Sequence, residues 1–139
     1  MVIRYITFGG NCIEALEFYQ NVFKSEVRMS QPYGEYIPDG IDAPPENLNA
    51  WILHAEMEIC GANFWFADEV QPVSKGNMIK LTITVSTAKE AKDIFEMLSN
   101  GGYVTLPPVE TFYSTFHAAL TDKFGVNWNI VAEESPNKL

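Results

Sequence analysis

The order strand, helix, strand, loop, hairpin runs twice along this chain of 139 residues. Such a repeat constrains the fold strongly, because each copy is one supersecondary unit whose apolar face must be covered. The cleanest strand is Ile79–Ser86, where Ile79, Leu81, Ile83 and Val85 alternate with Lys80, Thr82, Thr84 and Ser86. Ser86 or Thr87 then caps a helix with apolar residues at Ala88, Ala91, Ile94, Phe95 and Leu98, and Gly101-Gly102 stops it. Tyr103–Leu106 reads as a strand that Pro107-Pro108 breaks, and Thr115–Thr121 with Val126–Ala132 read as a hairpin.

The first copy follows the same order. Val2–Phe8 is rich in β-formers and ends at Gly9-Gly10. Asn11 is placed as an N-cap with Glu14 three residues on, and Ile13, Leu16, Tyr19 and Phe23 recur at helical spacing over Cys12–Phe23. Glu26–Ser30 is a second strand; Ala50–Met57 and Ala62–Ala67 make a hairpin across Cys60-Gly61. Between them lies Gln31–Asn49, with four prolines and two glycines, a long irregular loop of the kind that often serves as a lid. Local matches tie the copies together. Leu53-His54-Ala55 corresponds to Phe116-His117-Ala118, and Gly61-Ala62-Asn63-Phe64 to Gly125-Val126-Asn127-Trp128. The expected fold class is α+β: two βαβββ modules, about residues 1–70 and 77–133, forming a curved mixed sheet with helices on its outer face. Residues 1–139 are expected to form one domain. The concave face must then be filled by side chains, a ligand or a partner.

Charge narrows the partners. A net charge of −9 and a pI near 4.5 set up a field that repels nucleic acid and anionic membranes. Cys12 and Cys60 form no CxxC and read as reduced thiols. No run has the length of a signal peptide core or a membrane span, so a cytoplasmic location is expected.

Tyr5-Ile6-Thr7-Phe8-Gly9-Gly10-Asn11-Cys12-Ile13-Glu14-Ala15-Leu16-Glu17-Phe18-Tyr19, followed by Val22-Phe23, resembles the opening of PhnB-like proteins, where a helix carries EAxxFY and then VF. His54-Ala55, Phe66-Ala67-Asp68 and Asp122-Lys123-Phe124-Gly125-Val126-Asn127-Trp128 also resemble that family, so the likeness spans about residues 2–132. The family belongs to the glyoxalase/bleomycin-resistance/dioxygenase (vicinal oxygen chelate) superfamily. Some of its members carry a 3-demethylubiquinone methyltransferase-like label. That label gains no support from the residues, since no G-x-G-x-x-G follows a strand here.

The resemblance implies a site and a homodimer. In the glyoxalase branch a divalent ion polarises substrate oxygens and is held by His, Glu or Gln from the first and last strands of each module. Those positions fall at Arg4 and Lys80, and at Trp65 and Asn129. Charged Arg and Lys offer no lone pair, Trp only donates, and one Asn is a weak ligand, so no metal and no cofactor is expected. Arg4 and Lys80 would instead point into the concavity beside Phe8, Trp65 and Asn129, a seat for a small anionic or aromatic ligand. His54 and His117, at matching repeat positions, join this ligand-binding set, and Glu56 shares a strand face with His54. Three functions compete: a non-metal small-molecule binder, a lyase- or oxidoreductase-type enzyme with an atypical active site, and a structural or interaction module.

Overall fold

Helix α1 (Cys12–Phe23) turns Cys12, Ala15, Leu16, Tyr19 and Val22 to one side, the three-and-four spacing of an amphipathic helix. It packs on two strands, β3 (Ile52–Ile59) and β4 (Ala62–Asp68). Alternate residues of those strands, Ala55, Met57, Ile59, Phe64 and Phe66, are almost wholly buried. The rings of Tyr19 and Phe66 meet at 6.1 Å. With β1 (Arg4–Phe8) and β2 (Val27–Pro32) these strands form a mixed sheet in the order β1-β4-β3-β2. Here β1 runs parallel to β4 and the other neighbours are antiparallel.

The computed structural model describes residues 1–136, and the chain divides into this unit, Met1–Ser74, and a second that begins at Lys75. The second unit contains β5 (Leu81–Val85), α2 (Ala88–Leu98), β6 (Tyr103–Val109), β7 (His117–Thr121) and β8 (Asn127–Ala132). Its sheet order is β5-β8-β7-β6, again with a parallel first–last pair. The expected α+β class and its doubled β-α-β-β-β order are therefore present. Trp128, Ile130, Ala132, Ala118, Leu120 and Ile83 are buried on the face that α2 covers.

Three local expectations are corrected. Asn11 makes no side-chain cap; the buried carboxylate of Asp68, at the end of β4, takes that role through Gly10 N (2.9 Å) and Cys12 N (3.0 Å). Its other oxygen accepts from Ile52 N at 2.9 Å, so one carboxylate joins β4, β3 and the helix start. Pro107-Pro108 does not end β6, which continues to Val109 with register shifts on either side of Leu106. An edge strand tolerates proline because one row of its amides needs no partner. The strand expected over Ile79–Ser86 is β5, Leu81–Val85, so Lys80 precedes it. Thr87, one of the two expected caps, does cap α2, accepting from Glu90 N at 3.2 Å.

Candidate functional site

Strand register decides which side chains meet. Arg4 is the partner of Phe64, Tyr5 of Trp65, Ile6 of Phe66 and Phe8 of Asp68. Paired residues point to the same side, so Arg4 and Phe8 lie on the α1 side of the sheet. Phe8 is part of the core there, 4% exposed and stacked 6.4 Å from Phe66. Trp65 and His54 lie on the opposite side. The expected grouping of Arg4 and Phe8 with Trp65 is thus corrected: Tyr5, not Arg4, pairs with Trp65.

On that opposite face three rings converge. His54 and Trp65 meet edge-to-face at 4.9 Å, Tyr5 and Trp65 at 6.0 Å, and Tyr5 and His54 at 6.5 Å. Such edge-to-face contacts fix ring orientations. Glu56, opposite Trp65 in the register, lies 2.9 Å from His54 Nε2, so the imidazole N–H donates to its carboxylate. Tyr5 keeps 52% of its surface exposed and Trp65 37%. Partial burial pushes the Tyr5 phenol up, with Glu69 and Cys12 adding to the effect. The phenol therefore stays protonated and able to donate through the neutral pH range.

The second unit repeats the layout with different chemistry. Thr82 pairs with Asn129 as Tyr5 pairs with Trp65, and His117 stands where His54 does, next to Ala118, the partner of Ile130. Asn129 Nδ2 donates to Thr82 Oγ1 at 3.4 Å. His117 Nδ1 is hydrogen-bonded to the Tyr113 hydroxyl at 2.7 Å. Lys80 is exposed and lies just before β5. Of the residues singled out in the sequence, His54 and Trp65 are therefore brought together in one unit, and His117 and Asn129 share a face in the other. Tyr5 and Tyr113 were missed; a strict alternation through β1 would have found the first.

The superfamily's divalent ion is tested by these positions. On the faces opposite α1 and α2, the central first- and last-strand pairs are Tyr5 with Trp65 and Thr82 with Asn129. A neutral phenol, an indole donor, a hydroxyl and an amide do not make a divalent-ion site. Among the described residues no three His, Cys, Asp or Glu side chains cluster to replace them. The residues do not fit the ion.

Comparison with known proteins agrees with this architecture. A family model described as 3-demethylubiquinone-9 3-methyltransferase matches residues 1–131. Protein YjdN of Escherichia coli is 28% identical over 144 residues, covering 96% of this chain and 97% of its own. The structure of PA1353 from Pseudomonas aeruginosa is 25% identical with a TM-score of 0.81, covering 96% of this chain and 97% of that one. The PhnB protein of Bacillus cereus shares the fold at 24% identity and a TM-score of 0.78, covering 94% and 98%. No helix among the described residues is long and apolar enough to cross a membrane. The chain belongs to the family that carries this methyltransferase description, the PhnB-like branch of the glyoxalase (vicinal oxygen chelate) superfamily, and no specific activity is established for it.

Proposed function

We propose that the chain is a small-molecule-binding protein that holds a flat ligand against Tyr5, His54 and Trp65, without a metal ion. The observation that carries this reading is the ring cluster itself. Three aromatic side chains stand on a sheet face free of α1, and two of them stay more than one-third exposed. Rings held edge-to-face offer both an apolar wall and polar edges, the mixture that small-molecule sites use to bury and orient a ligand. The His54–Glu56 pair beside them supplies a hydrogen-bonding rim.

The test is native mass spectrometry of the protein and of Trp65→Ala purified in parallel. A bound small molecule on the wild type and its loss from the variant support the reading. Equal retention by both places the ligand elsewhere.

A second reading rests on the same pair. An imidazole oriented by a carboxylate at 2.9 Å is the arrangement of a general base, which would make the protein an enzyme acting on the bound ligand. Glu56→Gln separates the two: a binder keeps its affinity within a few fold, whereas turnover by an enzyme falls by two orders of magnitude or more. The chain is further proposed to act as a cytoplasmic homodimer, as the superfamily resemblance implies. Sedimentation velocity across a dilution series tests the dimer, and a monomer at every concentration rejects it.

A further inference from the structure

A groove of about 570 Å³ lies within the second unit, and none of its lining residues belongs to the ring cluster described above. Its size is that of a small-molecule site. Much of its wall is bare backbone, contributed by Gly76, Gly101, Gly102 and Gly125. Two of these glycines make room for a lysine. A Cβ on Gly125 would stand 2.5 Å from Lys75 Cδ, and one on Gly101 would stand 3.2 Å from Lys123 Cβ. Both glycines have positive φ, +92° and +80°, which other residues rarely adopt. The lysine stems therefore lie along glycine backbone, and both lysines line the groove.

The remaining wall is suited to an organic anion. Tyr103 is 64% exposed and offers a ring face. Asn77 adds an amide, and the linker beside it is pinned because Asn127 Nδ2 donates to Gly76 O at 2.6 Å. The one carboxylate in the wall, Asp122, is 3% exposed. It already accepts from Phe124 N, Val126 N and Trp128 Nε1 at 2.9–3.1 Å. Its charge is thus directed into the fold. Lys75 and Lys123 both line the groove in a chain whose net charge is −9, and Lys123 Nζ stands 5.4 Å from the centroid of the Phe124 ring.

We propose that this groove is a separate binding site for a small aromatic anion, a carboxylate or phosphate gripped by Lys75 and Lys123 and stacked on Tyr103. Charge-assisted hydrogen bonds from ammonium to such oxygens are the strong kind, and the glycine backbone lets the ligand approach closely. The proposal does not depend on the ring cluster of the first unit.

The experiment is an amide NMR titration of the whole chain with phenyl phosphate, with benzoate, and with phenol as the uncharged control. Saturable shifts of Gly76, Gly101, Gly102 and Gly125 are expected with at least one anion, weakening as salt is raised. Whichever anion acts identifies the headgroup. The double variant Lys75→Gln/Lys123→Gln, altered only at exposed positions, should keep its remaining spectrum and lose affinity at least tenfold. The proposal is overturned if phenol shifts the same amides equally, if the double variant binds as well as wild type, or if neither anion shifts them. Shifts confined to Tyr5, His54 and Trp65 also overturn it while leaving the first-unit site standing.

Discussion

Asp68 Oδ1 lies 3.0 Å from the backbone nitrogen of Cys12, joining the last residue of β4 to the first residue of α1. The same carboxylate accepts from Gly10 and Ile52, and it is only 1% exposed. Three amides, two of them in buried hydrogen bonds, thus depend on one side chain. Asp68→Asn keeps the shape but turns an NH₂ toward amide donors. Urea unfolding should show a loss of about 2–3 kcal/mol, the cost of leaving buried donors without an acceptor. A loss below about 0.5 kcal/mol would mean that α1 is held by packing alone.

Gly10 sits under Trp51. A Cβ at Gly10 would lie 2.6 Å from the indole, and its φ is +110°. Gly10→Ala should cost about 1–3 kcal/mol through strain and overpacking. Gly9→Ala, where nothing lies within 4 Å, should stay within about 0.5 kcal/mol. Removing the indole with Trp51→Ala should recover part of the Gly10→Ala loss, a coupling that a double-mutant cycle measures. Strict additivity would show that backbone strain, not the indole, sets the penalty.

Alkaline stability should depend on Cys12. Burial, and then the neighbouring Asp68 charge, push its thiol far above the ordinary range. A raised folded-state value means that the neutral thiol is favoured in the folded state. The associated stability is fully present below the unfolded thiol's value, about 8.5, and declines progressively as pH rises above it. Cys12→Ala should flatten that decline in denaturation midpoints between about pH 8.5 and 10. An unchanged pH slope would reject Cys12 as the source. In the native protein at pH 8 a thiol reagent should modify Cys60, which is exposed, while Cys12 waits for unfolding.

Element order was legible in the sequence because alternation and helical spacing report which faces are buried. The strict pattern around Ile83 and the three-and-four spacing of Leu16 and Tyr19 reflect burial that the structure contains. The matching of His54 with His117 also carried through, since the hairpins share one register. What was not legible depends on contacts between distant segments. Asp68 is 56 residues from the amide that it caps, so a local rule favoured Asn11 instead. Arg4 and Tyr5 differ by one position, and only pairing with β4 tells which faces Trp65. Pro107 and Pro108 look like breakers until β6 is known to be an edge.

The ring cluster of the first unit is tested most directly by the indole N–H resonances of the three tryptophans, Trp51, Trp65 and Trp128. The protein is titrated with a panel of flat aromatic molecules that carry a hydrogen-bonding group. Trp65, 37% exposed beside His54, should shift and saturate with at least one of them. Trp128, fully buried and donating to Asp122, should stay still. A Trp65 resonance unmoved by every compound, or one that moves only in step with Trp128, would contradict a ligand seat on Tyr5, His54 and Trp65.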